Sequence, residues 1–317
     1  MIRYRSFQNW DPPSLAEIWR SQPPVRGRMQ PVTPAMLEEL VFARPYFDRH
    51  GLIVAVDGVR PVGFVHAGFA ASSDLSTLDK SQGTTCMLQV MPHELRGVIA
   101  MELLAASEDY LRKNGATRLY AGLKFPLNPF YLGLYGGSEL PGILASDEQA
   151  AEIVRSGGYS MAARSLLWQR SLAGFRAPVD RQQMAVRRRF RVMGPQAVIP
   201  DNWWEACVWC QCEWQRFDLT LRDGGEPIVS ATFWEILPLS RSWGVRTMGL
   251  VNIDDTPEAR SEGLTLFLLG EALRQFQSQG VPFFEAHSAG DDTSLAEVFI
   301  QLGMAQYDRG ILWSKQT

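Results

Sequence analysis

Cysteine and histidine are scarce in this sequence, with four of each among 317 residues. So few cysteines do not make the framework of a disulfide-stabilised secreted domain. The histidines, at positions 50, 66, 93 and 287, form no pair at metal-ligand spacing. Cys207, Cys210 and Cys212 are close together, but no second pair completes a four-ligand zinc site. We therefore expect no metal centre and interpret these cysteines as small apolar residues of a helix.

An excess of charge of one sign and a long apolar run are also missing. The chain has 31 basic and 34 acidic residues and a net charge of -3, which disfavours a nucleic-acid partner. No run of about 18 apolar residues could span a membrane, and charges near Met1 disfavour a signal peptide. The G-x-S-x-G and G-x-x-x-x-G-K-[ST] motifs are absent. We expect a cytoplasmic protein without membrane partners.

What the chain does contain is a repeated order of predicted elements. Its length and its 46% hydrophobic content suggest two domains with sizeable cores. Strand, helices, hairpin, strand, long helix, strand, helix and strand follow one another twice, on either side of a linker at 173–183. The hairpin of the first copy turns at Asp57-Gly58. This order predicts a mixed α/β fold with domains at 1–172 and 184–317.

Three elements of the second copy are predicted from local patterns alone. The alternation in Arg187-Arg188-Arg189-Phe190-Arg191 predicts an edge strand within 185–192. Apolar spacing predicts one helix over 201–217, whose tryptophans form core or line an aromatic pocket. Pro257 predicts the start of a long helix that ends at Gly280.

The start of that long helix carries the clearest chemical pattern. In Arg260-x-x-Gly263-x-Thr265, glycine allows a ligand close to the backbone, and the free amides of a helix start can bind a pyrophosphate. The pattern resembles the acyl-CoA motif R/Q-x-x-G-x-G/A of the GNAT superfamily of N-acetyltransferases, with Thr in the last place. The repeated element order resembles that family in both halves. The resemblance implies two tandem GNAT-like acyl-CoA N-acyltransferase domains.

It also implies acetyl-CoA as co-substrate and a small amine as acceptor. The expected cofactor-binding residues lie on the fourth strand and the following turn: Val251, Ile253, Arg260, Ser261, Glu262, Gly263, Leu264 and Thr265. In the first copy the motif becomes Leu95-x-x-Val98-x-Ala100, without its central glycine. We therefore expect acetyl-CoA in the second domain, as in tandem GNAT proteins with one catalytic domain.

Acetyl transfer needs a neutral amine, so a base is required. Glu285 and His287 are candidates because residues two apart on a strand share a face, and Glu235 is a third. Phe299 stands where the family often has a proton-donating Tyr, and Asp292 where it has Asn. This departure keeps open an alternative, a non-catalytic module that binds CoA or a partner protein. We expect a monomer or a homodimer.

The first copy carries an insertion at 124–142, rich in aromatic residues and glycine. A loop of this length is usually functional or disordered, and its aromatic residues and lack of charge from Phe125 to Ser138 disfavour disorder. One interpretation is a lid over the acceptor side or the domain junction, with Tyr131 or Tyr135 as a catalytic hydroxyl donor. The other is a packed Ω-loop that stabilises the contact between domains.

Overall fold

A computed structural model describes residues 1–316 of the chain. We call residues 1–172 the first half and residues 184–317 the second half. The first half contains these elements: β1 (Ile2–Ser6), α1 (Pro12–Arg20), α2 (Pro34–Leu37) with a π-helical turn (Glu38–Phe42), β2 (Leu52–Asp57), β3 (Arg60–Ala71), β4 (Leu78–Val90), α3 (Arg96–Lys113), β5 (Arg118–Ala121), β6 (Ile143–Leu144), α4 (Glu148–Ser156) and β7 (Ser160–Ser171).

The second half repeats this order after the linker. Its elements are α5 (Arg181–Arg189), β8 (Phe190–Val198), α6 (Trp203–Val208), β9 (Trp214–Leu221), β10 (Val229–Glu235), α7 (Leu237–Trp243), β11 (Thr247–Asp254), α8 (Pro257–Ser261), α9 (Leu264–Ser278), β12 (Phe283–Ala289), α10 (Thr293–Gln301) and β13 (Ala305–Gln316). The predicted mixed α/β fold and the repeated order are confirmed.

One continuous sheet of 13 strands joins the two halves, in the order β1-β2-β3-β4-β5-β13-β7-β12-β11-β10-β9-β8, with the short β6 beside β13. The last strand of each half lies beside the fifth strand of the other: β7 pairs with β12, and β13 pairs with β5. The two exchanged strands also pair with each other, antiparallel, along most of their length. Because of this exchange, it stays a prediction that residues 1–172 and 184–317 are separate domains.

One apolar core lies mainly within the second half, and another is shared by both halves. One core contains α9 and the inner faces of β9 to β12, and lies within the second half and the linker, apart from β7. Another core is shared, because Trp19 and Tyr131 of the first half are clustered with Trp204 and Trp234 of the second. The contact between halves is therefore built from the same kind of packing as the interior of each half.

Two of the three locally predicted elements are wrong. Arg187–Arg189 are not in a strand but in the last turn of α5, because Asp180 caps that helix by accepting a hydrogen bond from Gln183 N (2.7 Å). The predicted helix over 201–217 ends at Val208, and Trp214 already belongs to β9. β9 is paired with β10 from Trp214, which lies opposite Trp234, so sheet pairing prevails over helical spacing.

The long helix predicted from Pro257 is divided into α8 and α9. Gly263 separates them in the left-handed region, with φ of +74°. The hairpin at Asp57-Gly58 is confirmed, with Asp57 opposite Arg60. Within residues 1–316 no helix combines the length and apolar character needed to cross a bilayer.

Candidate active site

The two central strands of the second half separate at their carboxyl ends. β11 and β12 are paired in parallel only where Thr247–Gly249 lie beside Phe283–Glu285. On the other side of β11, Thr232 lies opposite Asn252 and Phe233 opposite Leu250, so that Val251 is an extra, bulged residue. A bulge bends its strand locally. β11 therefore turns away from β12 just beyond their short ladder.

A cavity of about 190 Å³ lies at this separation. It brings together four residues that the sequence predicts at the site: Val251, Ile253, Arg260 and His287. Its other lining residues are Lys124, Glu139, Leu250, Asn252, Ser288, Ala289 and Leu295. Both halves therefore contribute side chains to one cavity.

His287 is the best-placed predicted base. Its side chain is buried, it lines the cavity, and neither ring nitrogen has a hydrogen-bond partner among the described residues. Its Nε2 lies 3.4 Å from Glu285 Oε1, as expected for residues on one face of β12. A buried imidazole without partners is available to accept a proton from a ligand.

Glu285 is placed differently from its neighbour. It is fully buried, and its Oε1 accepts a hydrogen bond from the backbone N–H of Ser138 (2.7 Å). Its Oε2 accepts from Gln169 Nε2 (2.6 Å) and from the Tyr307 hydroxyl (3.2 Å). Because both oxygens are engaged, Glu285 is arranged to hold the inserted segment and β7 in place beside His287.

Glu139 and Lys124 were missed by the sequence analysis. Both belong to the insertion of the first half, are partly buried and line the cavity of the second half. Burial raises the pKa of the Glu139 carboxyl, opposed by the nearby charges of His287 and Lys124. A carboxylate with a raised pKa is suited to accept a proton near neutral pH. The signal in the sequence that could have indicated Glu139 is that it is the only acidic residue between 125 and 142.

Arg260 is held by carboxylates. Its guanidinium donates to Asp255 through Nε (2.8 Å) and Nη2 (2.9 Å), and to Asp292 through Nη1 (2.7 Å). Thr265 donates to the same Asp255 (2.6 Å). These ion pairs raise the pKa of Arg260 and fix the turn between α8 and α9, but leave its charge largely neutralised. A pyrophosphate here would depend on backbone amides more than on this side chain.

The turn between α8 and α9 leaves backbone amides free at the start of α9. The first turn of α9 has no side-chain cap and no acidic residue, and Gly263 precedes it. Of the other predicted cofactor ligands, Ser261 and Glu262 are exposed, whereas Leu264 is buried. An uncapped helix start of this kind is an anion-binding element. Phe299 is a core residue in ring contact with Trp168, so it donates no proton.

The equivalent separation in the first half is filled. There β4 and β5 are paired where Gln82–Thr85 lie beside Arg118–Ala121, and Cys86 is the bulged residue. The cavity beyond them measures only about 30 Å³, because Tyr135 and Gly142 of the insertion and Ile143 of β6 line it closely. A volume of about one water molecule has no room for a thioester arm.

The two tyrosines of the insertion are interior residues. Tyr131 is 1% exposed, stacks on Trp19 and hydrogen-bonds His66 Nδ1 (2.9 Å). Tyr135 donates to Asp147 (3.1 Å) and accepts from Leu144 N (3.0 Å). Neither lines the 190 Å³ cavity. Glu235, the third candidate base, is paired with Arg246 and lines a different cavity.

The insertion itself lies at the junction of the halves. Trp234 Nε1 donates to Ser138 O (2.9 Å) and Trp204 Nε1 donates to Asn128 Oδ1 (3.0 Å). The predicted placement at the domain junction is thus confirmed, and the segment is packed as an Ω-loop rather than as an open lid. It contributes Lys124 and Glu139 to the open cavity.

Comparisons with known proteins were made by sequence and by structure. No protein-family model and no curated protein sequence matches the chain. Among solved structures, the GCN5-related glucosamine N-acetyltransferase region of a fungal multi-domain GH3 β-N-acetylglucosaminidase superposes with a TM-score of 0.70 at 16% identity. That match covers 99% of this chain and 38% of the fungal one, so this chain spans less than half of that protein.

Two further structures match along nearly their whole length. A tandem GNAT protein from the clavulanic acid biosynthesis pathway has a TM-score of 0.64 at 15% identity, covering 100% of this chain and 98% of its own. A GCN5-related N-acetyltransferase from Sphaerobacter thermophilus has a TM-score of 0.64 at 14% identity, covering 99% and 95%. The chain therefore has the tandem GNAT N-acetyltransferase fold over its described length.

Proposed function

We propose that the protein is an acetyl-CoA-dependent N-acetyltransferase that acts on a small amine, with one acyl-CoA site, in the second half. The observation that carries the proposal is the separation of β11 from β12, with a cavity of about 190 Å³ lined by His287 and Glu139. The first half has a space of only about 30 Å³ at the same place.

The thioester would enter between the separated strands. Beyond Gly249, β11 is not paired with β12, so its backbone can donate to the thioester oxygen as charge develops there. The pantetheine and pyrophosphate would lie toward the uncapped start of α9. Val251 and Ile253 on β11 would flank the acyl arm.

The acceptor would arrive on the side that carries Glu139. A small amine is cationic at neutral pH, and the Glu139 carboxylate complements its charge. Glu139 or His287 takes a proton, and the neutral nitrogen attacks the thioester carbon. The new C–N bond forms, the C–S bond breaks, and CoA leaves as a thiolate that takes up a proton. Lys124, whose Nζ donates to Ser165 Oγ (2.8 Å), is a cation close to Glu139 in this cavity.

Calorimetric titration with acetyl-CoA tests the site. Ala289 is exposed at the rim of the cavity, so Ala289→Trp fills the opening without disturbing a core. We expect binding to weaken at least about tenfold, or about 1.4 kcal/mol. Met101→Trp is the matched control, in the groove between α3 and α4 of the first half. If Met101→Trp alone abolishes binding, the site belongs to the first half.

Turnover distinguishes the enzyme from the alternative, a non-catalytic CoA-binding or protein-interaction module. A panel of small amines is incubated with acetyl-CoA, and release of the CoA thiol is followed. We expect turnover that falls at least about a hundredfold in Glu139→Gln or His287→Gln, the usual contribution of a general base, with acetyl-CoA affinity retained. Binding without turnover of any amine would favour the non-catalytic module.

A further inference from the structure

Three of the four cysteines are grouped around one arginine at the junction of the halves. Cys207 is the buried member, Cys210 is exposed, and Cys212 is partly buried. We call residues 207–212 the thiol turn. The helix α6 ends at Val208, and Cys212 N donates to Trp209 O (2.9 Å), so that Cys210 lies in a tight turn outside the helix. This corrects the sequence-based interpretation of all three as apolar helix residues.

Arg44 of the first half connects to this turn. Its Nη1 donates to Cys207 O (2.7 Å) and also to Cys210 Sγ, and its Nε donates to Leu40 O (3.1 Å). The guanidinium is 5% exposed and has no carboxylate partner among residues 1–316. Arg44 thus places a positive charge directly against the Cys210 sulfur.

The two ends of the thiol turn differ in chemistry. Burial raises the pKa of Cys207, the neighbouring Cys210 adds to this, and Arg44 opposes it. Burial raises the pKa of Cys212 to about 12. Cys210 is therefore the exposed cysteine, and the buried Cys207 lies three residues before it in the sequence. Because one nitrogen of Arg44 contacts both Cys207 O and Cys210 Sγ, the two residues are close in space.

Reactants can reach Cys210 from solvent, because it is the exposed cysteine of the thiol turn. A cavity of about 180 Å³ between the halves is lined by Arg44, Gln211 and Cys212, on another side of the same arginine. An exposed thiol beside a second cysteine is open to nucleophilic attack on an oxidant and to disulfide formation.

We propose that Cys210 is a peroxide-reactive thiol and that Cys207 resolves its oxidised form into a Cys207–Cys210 disulfide. The Cys210 thiolate attacks one oxygen of a hydroperoxide, the O–O bond breaks, and the departing alkoxide or hydroxide takes a proton. Cys210 becomes a sulfenic acid and the peroxide is reduced. The sulfur of Cys207 then attacks the sulfur of Cys210, the S–O bond breaks, and water leaves with the proton from Cys207.

The geometry of the turn permits this bond after a small adjustment. Disulfides need Cβ atoms about 3.5–4.5 Å apart, whereas helical residues three apart have them at about 5–6 Å. Trp209 and Cys210 lie beyond the end of α6, so this last turn can tighten without breaking a helix interior. A disulfide here would withdraw the sulfur from Arg44 and thereby alter a contact between the halves.

The test treats the reduced, full-length protein with hydrogen peroxide and maps cysteines by peptide mass spectrometry. We expect Cys210 to be consumed at least about tenfold faster than free N-acetylcysteine, because the Arg44 guanidinium at its sulfur stabilises the negative charge of the reacting groups, with accumulation of the Cys207–Cys210 peptide. In Cys207→Ser the disulfide cannot form, so dimedone should trap a sulfenic acid at Cys210. Buried Cys86, whose pKa burial also raises, is the internal control.

Variants of Arg44 separate charge from packing. Arg44→Gln should slow the reaction of Cys210 by about tenfold, and Arg44→Lys should restore the rate, because the positive charge of residue 44, and not the shape of the guanidinium, accelerates the step. The comparison with N-acetylcysteine needs no variant and stays decisive if Arg44→Gln fails to fold. Cys210 reacting no faster than N-acetylcysteine would overturn the proposal. A Cys210–Cys212 bond in place of the expected one would overturn the role of Cys207.

Discussion

His66 shows what a single buried residue does to the pH dependence of the molecule. Its side chain is fully buried among Phe47, Phe130 and Tyr131, and its Nε2 has no partner among residues 1–316. Burial lowers the pKa of His66 to about 3, partly offset by the charge of Asp48. The folded protein therefore keeps this imidazole neutral at pH values where the unfolded chain would protonate it.

The sign of the effect follows from the lowered pKa. Between pH 6.5 and about 3 the unfolded state binds a proton that the folded state does not, so His66 makes stability fall as pH falls, by about 1.4 kcal/mol per pH unit. We expect urea unfolding of His66→Gln to lose less stability between pH 7.5 and 5.0 than the wild type. His50→Gln, at an exposed position, is the control. Equal losses in wild type and His66→Gln would contradict the prediction.

At this scale the sequence predicted part of the candidate site. Val251, Ile253, Arg260 and His287 do meet at one cavity, because strand and turn positions follow from local pattern. Glu139 could not be assigned, since it comes from the insertion of the other half and reaches the cavity only through tertiary packing. Tyr131 was selected for its hydroxyl, but nothing in a sequence tells whether an aromatic residue of a loop faces a cavity or a core.

The division of α8 from α9 is the clearest feature at the scale of elements. Gly263 has φ of +74°, which favours glycine, and a Cβ there would lie 2.6 Å from Gln183 Nε2. That nitrogen donates to Gly263 O, so it cannot move without losing a buried hydrogen bond. From the sequence alone, Gly263 is interpreted as a position that lets a ligand approach the backbone. The structure adds a conformational reason for the same residue.

Alanine substitutions at Gly263 and at Gly97 test whether conformational strain explains the glycine between α8 and α9. Gly263→Ala should lower the free energy of unfolding by about 1–2 kcal/mol, the cost of a left-handed residue with a Cβ. Gly97→Ala should raise it by about 0.5–1 kcal/mol, because Gly97 lies in α3 with nothing within 4 Å of the added carbon. Chemical unfolding of both variants measures the difference. If the two alanines have the same effect, conformational strain at Gly263 is not what separates α8 from α9.

Most strands and the long helix α3 were predictable from periodicity and turns, whereas two neighbouring segments of the second half were not. At 187–191 alternating arginines resemble an edge strand, but a cap at Asp180 starts a helix that includes them. At 214–217 helical spacing favours a continuation of α6, but pairing with β10 makes this segment the start of β9. Both errors arise where a local pattern is ambiguous and a partner distant in sequence resolves it.

The exchange of β7 and β13 is a property of the whole molecule that no local pattern reveals. The pairing of β7 with β12 and of β13 with β5 makes each half incomplete without the other's last strand. Side-chain contacts across the junction, such as Trp243 Nε1 donating to Arg26 O (2.7 Å), add to this dependence.

We therefore expect the two halves to fold only together. Urea unfolding of the full chain should show one transition, with intrinsic fluorescence and far-UV circular dichroism changing together, as for a single cooperative unit. Residues 1–173 and 174–317, produced separately, should each lack a cooperative transition, because each would leave a central strand position of its sheet unpaired. Mixed after co-expression, they should associate and regain the transition of the intact chain. A segment that unfolds cooperatively alone, at the midpoint of the whole protein, would show that the exchanged strands are not required for the fold of that half.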